Sequence, residues 1–166
     1  PLGTGDAVIK TKKHIKDKFF LLLLPDDLIV KRNCSKDMIN AYKRYRCSMM
    51  ASMKVNKNNV DRWGIFKIEK ILNKKNFTIK DVVEKPTKVE APSNNAVIGR
   101  YILSKDIFKY LKNQKKGKGG EIHITDAIRK MIFNNYRFIG HKFSGQYLDC
   151  GSMSGYINSG IKISKL

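Results

Sequence analysis

The chain has 166 residues and a mass of 19.1 kDa, and 42% of its residues are hydrophobic, which suffices for one domain with a core and excludes wholesale disorder. No apolar run approaches the ~18 residues that a transmembrane helix needs. The 34 Lys and Arg residues against 14 Asp and Glu give a formal net charge of +20, which attracts nucleic acids or anionic membranes whatever the fold.

The sequence leaves two explanations of this charge open. Basic residues are mostly Lys and are spread along the whole chain, and the enrichment in Lys and Asn, with Ile favoured over Leu, is typical of an AT-rich genome. A selected basic surface would produce the same count.

The cysteines indicate the compartment. Cys34, Cys47 and Cys150 form no C-x-x-C pair and leave one over, which argues against a disulfide framework and against a zinc site. No basic-then-apolar leader is visible either. We therefore expect a cytoplasmic protein without a membrane partner.

Predicted helices and strands alternate along the chain. A short basic helix over 7–16 precedes a strand over 19–24, whose unbroken apolar run is typical of a strand buried on both faces. The pattern then predicts, in order, a helix capped by Ser35, a strand over 47–55, paired strands over 64–68 and 77–83, a strand over 97–103, helices capped by Ser104 and Thr125, a strand over 136–143 and a helix opened by Ser152. This alternation favours one α/β domain over 1–166, with a mostly parallel sheet and helices on both faces.

In such sheets, ligands bind beyond the carboxyl ends of the strands, and two acids follow the first apolar strand directly. Asp26 and Asp27 come after Leu24 and Pro25. Carboxylates at a strand end suit Mg²⁺, which takes one or two of them together with waters and substrate phosphates. The alternative is an ordinary Pro-Asp-Asp turn.

A second acidic and basic pair ends a later strand. Glu84 and Lys85 precede Pro86, and neighbouring side chains there point to opposite faces or diverge at a bend. A carboxylate can accept hydrogen bonds from sugar hydroxyls, and an ammonium can pair with a phosphate. An exposed surface pair is the alternative.

Two further segments carry weaker signals when each is taken alone. The glycine turn that begins at Gly3 precedes a helix and lets a ring or phosphate approach the backbone. Asp149 stands just before a glycine turn and a helix start, where it could complete a metal site begun by Asp26.

Taken together and in order, these segments resemble the bacterial UTP–glucose-1-phosphate uridylyltransferase family over almost the whole chain. The segments that carry the resemblance are PLGTGDAV, LLLLPDDLIV, RWGIF, VVEKP, EAPSNNAVIGRYIL, GKGGEIHITDAI and YLDCGSMSGY. The resemblance implies a nucleotide-diphospho-sugar transferase fold, an α/β/α sandwich with a mixed central sheet. It also implies conversion of UTP and glucose 1-phosphate to UDP-glucose and pyrophosphate with Mg²⁺ as cofactor, and a homo-oligomer when the chain is complete.

The resemblance also implies roles for single residues. Asp26 and Asp149 match the family's metal-binding acids, and Asp26 and Lys85 are the catalytic candidates, with Lys85 binding the glucose phosphate. Glu84 matches the acid that holds glucose hydroxyls. The matching glycines are Gly64 and Gly99, expected against the sugar, and Gly3, expected against the uracil.

The chain departs from the family pattern in one large respect. Full-length members begin with a Gly-rich triphosphate loop of the form G-x-G-T-R, and nothing in this sequence replaces it. We therefore expect the C-terminal portion of the enzyme, an N-terminally truncated domain whose strand over 19–24 exposes an apolar edge, with activity of its own left open.

Two alternatives accompany this interpretation, a non-catalytic remnant and a basic nucleic-acid-binding module. The second lacks an aromatic and basic platform, because Tyr42 and Tyr45 fall on the apolar stripe of the helix after Ser35, together with Met38 and Ile39. Nucleic acid is therefore not the partner that the sequence predicts.

Overall fold

The computed structural model describes residues 2–166, apart from the side chain of Lys118. Its helices are α1 (Thr4–Lys10), α2 (Cys34–Tyr45), α3 (Ile107–Leu111), α4 (Ile124–Phe133) and α5 (Met153–Ile163). Its strands are β1 (Phe19–Leu23), β2 (Asp27–Val30), β3 (Ser48–Lys54), β4 (Gly64–Ile71), β5 (Asn76–Glu84), β6 (Asn95–Ser104), β7 (Phe138–Lys142) and β8 (Gln146–Asp149). Short 3₁₀ turns lie at Lys12–His14, Lys57–Arg62 and Lys118–Gly120.

A six-stranded mixed sheet with the order β1-β6-β3-β7-β5-β4 forms the centre of the molecule. The mixed sheet implied by the family resemblance is confirmed. The prediction of a mostly parallel sheet was wrong, because only β3 and β7 pair in parallel among the described strands. The alternation of helices and strands gives the order of the strands but not their direction. The predicted pairing of the strands over 64–68 and 77–83 is present as β4 and β5, which a short turn joins into an antiparallel hairpin.

Helices cover both faces of this sheet. Helices α1, α3 and α4 contribute to the larger core, in which Ala127, Ile128 and Met131 of α4 are fully buried. Helix α2 covers the other face with Cys34 and Met38. Among the residues that the structure describes, none of the helices has both the length and the apolar content to cross a bilayer.

Helix α2 differs in two details from its prediction. Its N-cap is Asn33, whose side chain accepts a hydrogen bond from the backbone N–H of Lys36 (2.9 Å), and Ser35 lies inside the first turn. Its buried stripe is narrower than predicted, since Ile39 is 41% exposed and Tyr42 and Tyr45 are half-buried. The chain therefore presents aromatic rings at the surface on this side.

Strand β1 lies at the edge of the sheet. Within the described residues it pairs with β6 alone, and on one of its faces Leu21 and Leu23 are 36% and 48% exposed. The prediction that both faces of this strand are buried was wrong, whereas the expected apolar edge is present.

A separate two-stranded ribbon, β2 and β8, was missed by the sequence analysis. Both strands have four residues and no regular alternation of polar and apolar positions, so neither carries a strand signal. Their antiparallel register places Asp27 opposite Asp149. This ribbon brings together two acidic segments that lie far apart in the chain.

Candidate active site

One cleft of about 380 Å³ collects most of the residues that the sequence analysis selected. Six of them line it: Asp26, Gly64, Glu84, Lys85, Gly99 and Asp149. Gly3 is not among the lining residues, although its neighbour Thr4 is. The carboxyl end of β1, the start of β4, the end of β5 and the β2–β8 ribbon all open onto this space.

The carboxylates of Asp26 and Asp149 both lie near Gly151. A methyl group built on Gly151 would lie 3.0 Å from Oδ2 of Asp26 and 3.4 Å from Oδ1 of Asp149. The backbone N–H of Cys150 donates to the carbonyl of Asp26 (2.7 Å), and this bond joins the two segments. The absence of a side chain at Gly151 therefore lets both acids face one small volume.

This arrangement fits a magnesium ion. Mg²⁺ prefers hard oxygen donors, and it takes one or two carboxylates while waters and substrate phosphates fill the other positions. Within the described residues, no group of three or more His, Cys, Asp or Glu side chains is placed to hold a metal ion. Oδ1 of Asp149 accepts from the backbone N–H of Gly151 (2.9 Å), and Oδ2 pairs with the Arg62 guanidinium.

Asp27, although adjacent to Asp26, is a structural residue. Its Oδ2 accepts a hydrogen bond from the backbone N–H of Gly99 (2.7 Å), and its Oδ1 accepts one from the Tyr147 hydroxyl. Burial raises the pKa of Asp27, and these two hydrogen bonds act in the opposite direction. The sequence shows two equivalent acids, whereas the fold occupies one of them with internal hydrogen bonds.

Glu84 and Lys85 both line the cleft, and a bend separates their side chains. Lys85 has φ of 44°, a left-handed conformation that costs a residue other than glycine about 1 kcal/mol, and its backbone N–H donates to the carbonyl of Trp63 (3.0 Å). Glu84 extends its carboxylate alongside Gly64, where an added methyl group would lie 3.2 Å from Oε2. Its Oε1 lies 4.0 Å from Nδ1 of His123.

Gly99 and Gly3 are both required by close packing within the chain. A methyl group on Gly99 would collide with the Asp27 carboxylate and with Leu24. Gly3 has φ of 100°, and a methyl group there would lie 2.6 Å from the carbonyl oxygen of Ile122. Steric reasons for these glycines therefore exist independently of any ligand.

The model of the nucleotidyl transferase family matches residues 1–165. The chain belongs to this family. A UTP–glucose-1-phosphate uridylyltransferase from Pseudomonas aeruginosa is 41% identical over 162 residues, which are 95% of this chain and 57% of that protein. A protein of the same name from Komagataeibacter xylinus is 35% identical over 156 residues, which are 92% of this chain and 54% of that protein.

Solved structures agree with this assignment. A UDP-glucose pyrophosphorylase complexed with UDP-glucose matches with a TM-score of 0.92 and 40% identity, over 98% of this chain and 62% of that chain. A UTP-bound UGPase from Acinetobacter baumannii matches with a TM-score of 0.84 and 32% identity, over 98% and 56%. The nucleotidyl transferase chain described here thus spans about 57% of the length of the curated P. aeruginosa relative.

The nucleotidyl transferase cleft also contains residues that the sequence analysis did not select. Arg62 holds Asp149 and lies 4.9 Å above the ring of Trp63, and Tyr147 holds Asp27. Arg62 and Trp63 belong to the segment RWGIF, which carried the family resemblance, so a signal for them existed. Tyr147 likewise opens the segment YLDCGSMSGY, but its hydrogen bond to Asp27 could not be predicted, because the ribbon that positions it was missed.

Proposed function

We propose that this nucleotidyl transferase chain carries the sugar-phosphate site of a UTP–glucose-1-phosphate uridylyltransferase, which converts UTP and glucose 1-phosphate to UDP-glucose and pyrophosphate. The names of the P. aeruginosa and K. xylinus relatives support this substrate pair. The observation that carries the proposal is the single cleft that contains Asp26, Glu84, Lys85 and Asp149.

Lys85 and Glu84 are the residues that we assign to glucose 1-phosphate. The ammonium of Lys85 would pair with the phosphate as a point charge, without removing the lone pairs of the attacking oxygen. The carboxylate of Glu84 would accept hydrogen bonds from hexose hydroxyls. Such bonds discriminate strongly, because a sugar without the matching hydroxyl leaves a buried carboxylate oxygen without a partner.

Glycines complete this sugar site in our proposal. Gly64 and Gly99 would bring backbone close to the hexose, and Gly3 would do the same for the uracil. The backbone N–H of Gly99 is held by Asp27 (2.7 Å), so its peptide has a fixed orientation before substrate arrives. Preorganised backbone of this kind lowers the entropy that is lost when a substrate is positioned.

The reaction requires positioning and charge neutralisation more than covalent assistance. A phosphate oxygen of glucose 1-phosphate forms a bond to the α-phosphorus of UTP, the bond from that phosphorus to the β-phosphate bridging oxygen breaks, and pyrophosphate leaves with the electron pair. Asp26 and Asp149 would hold Mg²⁺, which when bound offsets the repulsion between the two phosphate groups. Arg62 would keep the Asp149 carboxylate oriented, since its guanidinium pairs with Oδ2.

We also infer that the reaction takes place in the cytoplasm, because Cys34, Cys47 and Cys150 are all free thiols. A homo-oligomer of the complete enzyme stays a prediction.

Ligand binding to the 166-residue chain tests the sugar site directly. We expect glucose 1-phosphate and UDP-glucose to raise Tm in the presence of Mg²⁺, and we expect the Lys85→Ala variant to abolish the shift by glucose 1-phosphate. Glucose without phosphate serves as the ligand control, and Lys88→Ala, an exposed lysine three positions on, serves as the protein control.

Formation of UDP-glucose from UTP and glucose 1-phosphate is measured together with these Tm values. Turnover that requires Lys85 supports the full proposal. A Tm shift without turnover supports the assignment of the sugar-phosphate site and places the triphosphate site in sequence that this chain lacks. Tm values that do not change with either ligand refute the proposal and favour the non-catalytic remnant.

A further inference from the structure

A cluster of arginines lies outside the cleft, and composition alone does not explain it. Of the seven arginines in the chain, three meet at one surface: Arg44, Arg46 and Arg137. An AT-rich coding bias enriches Lys, which is the commoner basic residue here, and it gives no reason for arginines to gather at one place.

Each of these arginines lies over a tyrosine ring. The guanidinium carbons of Arg44 and Arg137 lie 5.7 and 5.9 Å from the ring centroid of Tyr45, and that of Arg46 lies 5.7 Å from the centroid of Tyr42. These distances are within the reach of cation–π attraction. We call Tyr42, Arg44, Tyr45, Arg46 and Arg137 the arginine–tyrosine patch.

The two rings are held in place by the fold. The Tyr45 hydroxyl accepts a hydrogen bond from the side-chain amide of Asn73 (2.9 Å), and the ring of Tyr42 packs against Phe19 with centroids 5.1 Å apart. Both tyrosines are half-buried, whereas the three arginines are exposed. The patch is therefore an ordered aromatic base that carries accessible positive charge.

Two of the four other arginines of the chain pair with carboxylates. Arg62 pairs with Asp149, and Arg129 pairs with Asp81 through Nε at 2.9 Å. Within the described residues, by contrast, no carboxylate oxygen lies within 4.0 Å of a guanidinium nitrogen of the patch. The charge of the patch is thus not neutralised by an ion pair within the part of the chain that the structure describes.

We propose that the arginine–tyrosine patch binds single-stranded nucleic acid, beside and independently of the cleft. Guanidinium groups bind phosphates in a bidentate manner, and both guanidinium planes and tyrosine rings stack on unpaired bases. No residue of the patch lines the cleft, so such binding leaves the sugar-phosphate site accessible. The aromatic and basic platform that the sequence analysis did not find is present in the structure, because the tyrosines are less buried than their stripe predicted.

Two simpler explanations of the patch are stabilisation of the C-terminal end of α2 and binding to a membrane surface, and neither accounts for the whole patch. The negative end of the α2 dipole attracts Lys43 and Arg44 in the last helical turn, but Arg137 comes from the segment before β7. Helix-end stabilisation does not explain Arg46 either. This residue occupies the left-handed C-cap of α2 with φ of 51°, where glycine or asparagine is usual and arginine is strained. A membrane surface fits less well, since the two rings are partly buried and covered by guanidinium groups and offer no apolar tip for insertion.

The test measures fluorescence anisotropy of a short labelled oligothymidylate with the 166-residue chain and two triple variants of equal net charge. One variant replaces Arg44, Arg46 and Arg137 by Gln, and the matched control replaces the exposed lysines Lys112, Lys115 and Lys116 by Gln. We expect the patch variant to bind about tenfold more weakly than the unchanged chain, and the lysine control to bind about twofold more weakly.

A third variant separates stacking from charge. Replacing the three patch arginines by Lys keeps the charge but removes the planar guanidinium groups, so we expect weaker binding at an unchanged salt dependence. Circular dichroism and Tm confirm that each variant is folded. Equal loss in the two Gln variants, equal affinity for a duplex of the same length, or a preference for anionic vesicles over the oligonucleotide would each overturn the proposal.

Discussion

The cleft and the arginine–tyrosine patch show opposite charge within one strongly basic chain. Five of the 14 acidic residues line the cleft, against one lysine and one arginine, whereas the patch has three arginines without a carboxylate partner among the described residues. The five acids are Asp26, Asp27, Glu84, Glu121 and Asp149. The formal charge of +20 therefore describes neither surface, and the location of charge is more informative than its sum.

The difference in charge corresponds to a difference in construction. In the cleft, Asp27 and Asp149 accept backbone hydrogen bonds from Gly99 and Gly151, and an added methyl group at either glycine would lie against a carboxylate. In the patch, exposed cationic side chains lie over half-buried rings. We therefore expect substitutions in the cleft to affect catalysis and packing, and substitutions in the patch to affect binding with little loss of stability.

The largest expected effect concerns Asp26. Asp26→Asn removes a carboxylate that faces the volume shared with Asp149, so we expect UDP-glucose formation to fall about 100-fold or more. We expect Tm without ligand to stay unchanged, because within the described residues the Asp26 carboxylate makes neither a hydrogen bond nor an ion pair. The matched control is Asp17→Asn, which changes an exposed acid outside the cleft. This variant should keep the full rate of UDP-glucose formation or the full ligand-induced shift in Tm.

Packing around Gly99 gives the next largest effect. Gly99→Ala places a methyl group against Leu24 and the Asp27 carboxylate, and we expect the free energy of unfolding to fall by about 2 kcal/mol in urea denaturation. Gly160→Ala is the control, because nothing lies within 4 Å of the added methyl group and the residue is inside α5. That variant should be more stable than the unchanged chain by about 0.5 kcal/mol. Equal stability of the two variants would contradict the packing described here.

In the patch, a substitution should increase stability. Arg46→Gly relieves the left-handed conformation at φ 51°, so we expect the free energy of unfolding to rise by about 0.5 kcal/mol while oligonucleotide affinity falls. Lys43→Gly, inside the last turn of α2, should instead lose about 1 kcal/mol. A destabilised Arg46→Gly variant would show that the patch contributes to folding.

The smallest effect is a pH dependence that arises from Asp27. Burial raises the pKa of this carboxyl above its ordinary value of 3.8, so the folded state holds the proton more tightly than the unfolded state does. The stability that the protonated Asp27 carboxyl contributes is fully present below pH 3.8 and is lost as pH rises through the folded-state pKa of this group. The Asp27→Asn variant has no titratable group at this position. In paired urea denaturations, its free energy of unfolding minus that of the unchanged chain should therefore increase with pH. A difference that stays constant or decreases would contradict the raised pKa.

Sequence patterns predicted the cleft better than they predicted the sheet. The motifs at Asp26, Glu84, Lys85 and Asp149 lie at strand ends, and all four residues line one space. Strand direction was not predictable from alternation, because β6 runs antiparallel to both of its main neighbours and nothing local in its sequence encodes this. The burial of β1 was also overestimated, since an apolar run does not reveal whether other elements cover both faces of a strand.

Adjacent residues of the same type were also indistinguishable in the sequence. Asp26 and Asp27 differ only in their surroundings, and those surroundings come from Gly99 and Tyr147 in remote segments. The surroundings of Tyr42 and Tyr45 likewise come from remote segments, since Tyr42 packs against Phe19 and Tyr45 contacts Asn73 and Arg137. Helical spacing identified the face of α2 but not how completely other elements cover it.

The β2–β8 ribbon controls the distance between the two acids of the cleft through only four residue pairs. Side chains alternate between the faces of a strand, so a slip of this ladder by a single residue would turn Asp149 away from Asp26 and expose Leu148 in its place. A mutation that shortens or lengthens the turn between β7 and β8 would thus separate the two acids of the cleft while leaving the central sheet and the identity of each cleft residue unchanged.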